Sequence, residues 1–94
     1  MDLLDFKQSL QGATPPKNLN VYLNALWYDG KGDWKKAHDL VDGLSGTEAA
    51  RIHAYLHRVE GDHWNANYWY RRAGEEMPAC SQEKEWELLV GRFL

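Results

Sequence analysis

The sequence has a single cysteine, Cys80, and lacks both long apolar runs and a basic leader. One cysteine cannot form an internal disulfide, which is typical of proteins in a reducing compartment. The N-terminal segment MDLLDFKQSL has no basic region, so we expect no secretory signal there. No stretch approaches the ~18 consecutive apolar residues that span a bilayer. These absences predict a cytoplasmic protein without a membrane partner.

The sequence also lacks an excess of positive charge. Its 11 Lys and Arg residues are outnumbered by 14 Asp and Glu residues, for a formal net charge of −3. Because binding to a phosphate backbone requires a basic surface, we expect no nucleic-acid partner. A hydrophobic fraction of 44% with 27% charged residues predicts a folded globular chain. A chain of 94 residues can form one core, so we expect a single domain over 1–94.

Strand-forming residues are scarce as well. Val, Ile and Thr are few, and they nowhere alternate with polar residues as they would in a half-buried strand. Residues that begin helices recur instead, and Asp33, Thr47, Asp62 and Ser81 are predicted N-caps. The sequence therefore predicts an all-α fold. Six short helices are expected, over about 2–10, 17–29, 33–42, 47–61, 62–74 and from 81 onward.

The sequence does contain an internal repeat. At an offset of 29 residues, the segment ALWYDGKGDWKKA matches AYLHRVEGDHWNA, and each copy predicts a helix, a Gly-Asp turn and a second helix. Alanines recur at the same spacing in both copies, and such small side chains let two antiparallel helices approach closely. The matched positions are Ala25 with Ala54, Gly32 with Gly61, Asp33 with Asp62 and Ala37 with Ala66.

This register resembles the tetratricopeptide repeat family, whose small, aromatic, turn and proline positions are all found in the second copy. The resemblance implies tetratricopeptide-like antiparallel helical hairpins in two units, 18–46 and 47–80. An N-terminal helix with a proline-rich loop (1–17) would precede them, and a capping helix (81–94) would follow. The string HAYLHRVEGDHWNANYWYRRAG is also similar to a segment of small bacterial proteins, which implies a bacterial origin and no particular function. The positions that match the repeat family are Ala54, His57, Gly61, Asp62, Ala66, Tyr70, Ala73 and Pro78.

The family resemblance also implies a peptide-binding face. In such arrays the first helix of each unit lines a concave surface that holds peptides. Here Arg51 and Arg58, with Tyr55 between them, would hold an acidic segment or a C-terminal carboxylate. The same pattern is also typical of a solvated helix face. The positions carried over from the family are Tyr22, Leu26, Asp29, Arg51, Tyr55 and Arg58.

A second candidate surface lies on the fifth predicted helix. Trp64, Tyr68 and Arg71 are spaced i, i+4, i+7, so they share the side opposite the predicted core residues Ala66 and Tyr70. Large rings with an arginine are the composition of a protein-recognition hot spot. The alternative is that the first or last helix packs over this side.

His53, His57 and Glu60 form a third candidate site, because their i, i+4, i+7 spacing places them on one helix face. Two imidazoles one turn apart and a carboxylate can bind zinc. In the alternative, structural interpretation, Glu60 hydrogen-bonds the imidazole of His57. The metal-binding interpretation requires that His38 or His63 lie within ligand distance of this stripe, and the structural interpretation does not.

No catalytic residue is predicted, because neither an activated nucleophile nor a glycine-rich phosphate loop accompanies these groups. We therefore expect a protein–protein interaction module rather than an enzyme. It would bind a peptide or protein segment, acidic if the arginines take part, and would need no cofactor. The alternative is a metal-binding protein or metal-dependent enzyme that holds zinc at the histidine stripe. A third hypothesis is that homo-oligomerisation covers the helical faces.

Overall fold

The computed structural model describes all 94 residues and contains six α-helices and no β-strand. This confirms the predicted all-α fold class and the predicted number of helices. None of the six helices combines the length and the apolar character that crossing a membrane would take. The helices are α1 (Leu3–Ser9), α2 (Val21–Gly30), α3 (Trp34–Asp42), α4 (Thr47–Val59), α5 (His63–Arg72) and α6 (Gln82–Phe93).

Side-chain caps determine where most of these helices begin. Asp33, Asp62 and Ser81 each accept a hydrogen bond from the backbone N–H three residues on, as predicted for N-caps. Thr47, the fourth predicted cap, is instead the first residue of α4. Gly46 takes the N-cap position there, with φ of 102° and no side-chain hydrogen bond. Glycine adopts this left-handed backbone readily, which explains the shift of one residue.

Helix α2 begins later than the sequence predicted. The prediction was a start near Lys17, but Asn18 adopts φ of 67°, which a helix cannot include. Asn20 then caps the helix by accepting a hydrogen bond from the Leu23 N–H at 2.9 Å. Asparagine tolerates the left-handed region and is also a good cap, so the two asparagines move the helix start to Val21.

The turns that join α2 to α3 and α4 to α5 have the same backbone conformation. Gly32 and Gly61 have φ of 86° and 85°. The N–H groups of Asp33 and Asp62 each donate to the carbonyl five residues earlier, both at 2.9 Å. The Gly-Asp pair in each copy of the sequence repeat therefore produces the same helix–turn–helix connection.

The core forms where α6 meets the two helix pairs. Helices α2 and α3 pack together, α4 and α5 pack together, and α6 contacts α1, α2 and α4. Trp86, Leu89 and Val90 form an apolar stripe on α6 and are buried in the main core with Trp27 and Ile52. Because α6 lies against both α2 and α4, it covers the side of these helices that would otherwise face solvent.

Candidate functional site

Helix α6 covers the face of α2 and α4 on which the sequence predicted peptide binding. Leu26, Arg51 and Tyr55 are buried, and the side chain of Arg58 is mostly buried. The Trp86 indole N–H donates to the Leu26 carbonyl at 2.9 Å, which ties α6 to α2 at this face. The structure thus leaves no open surface at the centre of the predicted peptide site.

The two arginines of that site hold a carboxylate that belongs to the chain itself. Glu85 of α6 is fully buried, with an exposed fraction of 0%. Arg58 Nη1 donates to its Oε1 at 2.7 Å, and Arg51 Nη1 lies 2.8 Å from its Oε2. The Arg51 contact is an ion pair whose angle does not meet that of a hydrogen bond. A buried carboxylate needs such partners, because an unpaired one is costly to desolvate.

Tyr70 completes the group around Glu85. Its hydroxyl donates to Glu85 Oε2, and burial raises the pKa of Tyr70, with this hydrogen bond acting in the same direction. The hydrogen bond from Arg58 to Glu85 is also the main reason that the pKa of Arg58 is raised. At the edge of the group, Glu75 accepts from Arg51 Nε at 3.1 Å. The group therefore links α4, α5 and α6 through ion pairs and hydrogen bonds.

The remaining residues of the predicted peptide site are also engaged within the chain. The Tyr55 hydroxyl donates to Asp29 Oδ2 at 2.9 Å. Burial raises the pKa of Asp29, and burial together with the neighbouring Asp29 raises the pKa of Tyr55. Tyr22 stacks on Phe93 of α6, with ring centroids 4.9 Å apart. All six carried-over positions thus contact other parts of the fold.

The outer side of α5 is open. Helix α5 packs closely against α4, and its hydrogen bond from Tyr70 to Glu85 of α6 lies on the inner side, so neither α1 nor α6 covers the outer side. Trp64 is 78% exposed and Tyr68 is 42% exposed, and their rings lie almost parallel with centroids 6.5 Å apart. Arg71 is exposed and makes no ion pair or side-chain hydrogen bond, whereas Arg72 lies over the rings of Tyr68 and Trp69. We call Trp64, Tyr68, Arg71 and Arg72 the α5 surface.

The histidine stripe is divided between two groups of possible ligands. His57 Nδ1 is hydrogen-bonded to Glu60 Oε1 at 2.6 Å, the contact expected in the structural interpretation. These two residues lie close to Asp62, whose carboxylate is already bound to the Asn65 backbone and side chain. His53, one turn earlier, belongs to a different group.

That second group joins His53 to His38 and Asp42 of α3. The potential ligand atoms of the three residues all lie within 4.8 Å of one another. Asp42 Oδ1 is 3.6 Å from His53 Nε2 and 3.8 Å from His38 Nε2. His38 therefore does reach the stripe, whereas the exposed His63 belongs to neither group. This convergence is the observation that the sequence analysis left open.

His53 is the most unusual member of this group. Its exposed fraction is 1%, and neither ring nitrogen has a hydrogen-bond partner. Burial lowers the pKa of His53, and positive charge on the neighbouring His38 and His57 would lower it further. Asp42 acts in the opposite direction on this pKa, but burial is the larger effect. The His53 ring stacks on Trp69 with centroids 4.3 Å apart. His53 is thus held in place by packing rather than by hydrogen bonds.

Glu85 and Asp42 are two functional-group residues to which the sequence alone assigns no role. Glu85 lies on the buried side of α6, one turn before Leu89, so its position beside the apolar stripe was the available indication. Asp42 follows His38 by four residues, a spacing that places both on one face of α3. Neither pattern identifies a partner on another helix, which only the fold supplies.

The chain was compared with known proteins by sequence and by structure. No family model, curated protein or solved structure matches it. Any inference about function therefore depends on the geometry of the α5 surface and of the histidine group.

Proposed function

We propose that this protein is a tetratricopeptide-like helical array that binds an acidic protein segment on the α5 surface. The observation that carries the proposal is the exposed cluster on the open outer side of α5. Trp64 is 78% exposed, its ring stacks on Tyr68, and Arg71 nearby is unpaired. Single exposed apolar residues are ordinary, but a cluster of two large rings and arginines is the composition of binding hot spots.

Two features support the tetratricopeptide-like part of the proposal. The two helix pairs share the same Gly-Asp turn at the repeat offset of the sequence. Ser81 then caps helix α6, where a third unit would start, and α6 packs on the first helices of both pairs. In this arrangement α6 occupies the face where the family would hold a peptide. A partner must therefore bind elsewhere, and the outer side of α5 is open.

The ring arrangement makes the α5 surface suited to binding. The Arg72 guanidinium lies 5.6 Å from the Tyr68 ring centroid and donates to the Tyr68 hydroxyl at 3.0 Å. Stacking between Trp64 and Tyr68 restricts both side chains before a partner arrives. Because side-chain ordering is a main cost of association, restricted rings lose less entropy on binding. An apolar side chain of the partner would pack against them.

The charge of α5 selects the partner's chemistry. The helix HWNANYWYRR contains two arginines and no acidic residue, although the whole chain has a net charge of −3. Arg71 has no intramolecular partner, so pairing with a carboxylate breaks no existing contact. Complementary charge favours encounter and specificity. We therefore expect the bound segment to carry Asp or Glu next to an apolar residue.

Selection from a random peptide library tests this proposal. Wild-type protein should enrich acidic peptides that also contain an apolar or aromatic residue. The charge reversal Arg71→Glu should abolish this enrichment, whereas Lys17→Glu should not, because Lys17 is exposed and unpaired but lies far along the chain from α5. Trp64→Ala should weaken a selected peptide by about 30-fold in Kd, the equivalent of a hot-spot side chain worth ~2 kcal/mol.

Three outcomes would contradict the proposal. Enriched peptides could show no acidic bias, or they could bind Arg71→Glu and Lys17→Glu equally well. Alternatively, sedimentation could show that the wild type is a dimer which Trp64→Ala converts to a monomer. In that case the α5 surface is an interface between two copies of the chain.

A further inference from the structure

The buried imidazole of His53 has two polar nitrogens and no partner for either one. Buried polar groups in proteins are almost always hydrogen-bonded or bound to a metal, because an unsatisfied one is costly. A leucine at this buried position would fill a similar space without that cost. An orphaned imidazole at 1% exposure therefore calls for a ligand.

The surroundings of His53 supply two further metal-binding groups from another helix. His38 and Asp42 lie one turn apart on α3, and the Asp42 carboxylate oxygen lies 3.6 Å and 3.8 Å from the two Nε2 atoms. In a tetrahedral site with bonds of about 2.0–2.1 Å, ligand atoms are roughly 3.3 Å apart. The two distances to Asp42 exceed this spacing by a few tenths of an ångström, and the ligand atoms of His38 and His53 lie within 4.8 Å of each other. Side-chain rotations that bring the two rings together would close the site.

Aromatic packing orients both imidazoles. The His38 ring stacks on Trp34, with centroids 4.8 Å apart and an interplanar angle of 10°. The His53 ring stacks in the same way on Trp69. Stacking restricts the rotation of each ring, so less side-chain entropy is lost when a metal binds. These two tryptophans hold the rings without occupying their nitrogens.

The site is closed on one side and open on the other. His53 is buried, the His38 side chain is 21% exposed, and the Asp42 side chain is 64% exposed. An ion would therefore approach past Asp42, and the solvent side leaves a fourth coordination position for water. Two imidazoles and one carboxylate suit zinc and similar transition metals, whereas calcium and magnesium prefer oxygen ligands alone.

We infer that His38, Asp42 and His53 form a binding site for a divalent transition metal, with Zn²⁺ as the best-matched ion. This site goes beyond the proposed binding of a protein segment and shares no residue with the α5 surface. It also differs from the histidine stripe, because Glu60 and His57 bind each other and Asp42 supplies the carboxylate.

Titration calorimetry with Zn²⁺ alone, on metal-stripped protein, tests the inference. The wild type should bind one equivalent, and Co²⁺ should give the intense visible absorption of a tetrahedral complex. Asp42→Ala should weaken Zn²⁺ binding at least tenfold. The matched control is Asp39→Ala, which removes another exposed aspartate from the same helix. His63→Ala is the control for histidine content, and both controls should bind as the wild type does.

His53→Leu should keep the fold and abolish binding, because leucine fills the buried position without a ligand atom. If His53→Leu does not fold, Asp42→Ala still tests the inference, because Asp42 lies at the surface and its replacement should not prevent folding. The inference is overturned if the folded wild type shows no saturable Zn²⁺ binding. It is equally overturned if Asp42→Ala binds Zn²⁺ as tightly as Asp39→Ala does. Trp64→Ala should leave Zn²⁺ binding unchanged, so the two proposals fail independently.

Discussion

At the scale of single residues, Glu85 has the largest consequence for the fold. Its carboxylate lies between Arg51 and Arg58, and it accepts a hydrogen bond from Tyr70, with no access to water. Removing one member of such a group leaves the others charged and buried. The free-energy cost of that change exceeds the net stability that the intact group contributes to the fold. Hydrophobic replacement of the entire group would be a different change, because it would leave no unpaired charge.

We predict that Glu85→Gln lowers the free energy of unfolding by about 3–5 kcal/mol, since it leaves two arginines without their carboxylate. Urea denaturation followed by circular dichroism would measure the change. Glu83→Gln is the matched control, because Glu83 is exposed on the same helix and should alter stability by less than about 0.5 kcal/mol. Equal stability of the two variants would contradict the importance assigned to the buried group.

At the scale of helices and turns, the Gly-Asp connection is the repeated unit. Gly61 has φ of 85°, and Gly32 matches it in the other pair. In both turns there is open space where a side chain would project, so the glycine is required by its backbone angle and not by crowding.

We predict that Gly61→Ala destabilises the protein by about 1–2 kcal/mol, the cost of placing a side chain in the left-handed region. Gly43→Ala is the control, because Gly43 also has open space around it but its φ is −90°. Thermal unfolding of both variants would show the difference. A Gly43→Ala variant with the larger loss would mean that something other than backbone conformation determines the effect.

The helices and their turns were the most predictable part of the structure. Caps such as Asp62 and Ser81 bind N–H groups three residues away, so the local sequence is enough to predict them. The position of α6 could not be predicted in that way. Its apolar stripe showed that it packs, but not that it would bring Glu85 against Arg58, a residue 27 positions earlier.

At the scale of the whole molecule, ion pairs join helices that are distant in sequence. Glu75, in the segment between α5 and α6, accepts hydrogen bonds from Arg51 of α4 and from both terminal nitrogens of Arg92 of α6. The hydrogen bonds from Arg92 are the main cause that lowers the pKa of Glu75 below its ordinary value. A carboxyl group with a lowered pKa in the folded state stabilises the fold above its ordinary pKa.

We predict that this contribution is lost on acidification. As the pH drops from the ordinary pKa of 4.5 toward the lower folded value, the unfolded chain takes up a proton that the folded chain does not. The free energy of unfolding therefore decreases as the pH is lowered. Glu75→Gln should therefore show a shallower loss of stability below pH 4.5 than the wild type. Glu76→Gln, which removes an exposed and unpaired neighbour, should keep the wild-type slope. Urea titrations across this range would measure both.

For each candidate site, the sequence could predict only which residues share one face of one helix. Periodicity correctly placed Trp64 and Tyr68 on the side of α5 away from the core residue Tyr70. It could not show that α6 covers Arg51 and Arg58, or that His38 of α3 lies against His53 of α4. Contacts between distant segments depend on packing angles that a single sequence does not specify.

The separation of 27 residues between Arg58 and Glu85 also affects the protein while it is being made. During synthesis, α4 leaves the ribosome before α6, and Glu85 follows Arg58 by 27 residues. At typical elongation rates that delay is roughly 1–5 s. For this interval Arg58 has no carboxylate partner, Arg51 has only Glu75, and the face that α6 later covers is open. We therefore expect the nascent protein to have a transient basic surface that the folded protein does not have.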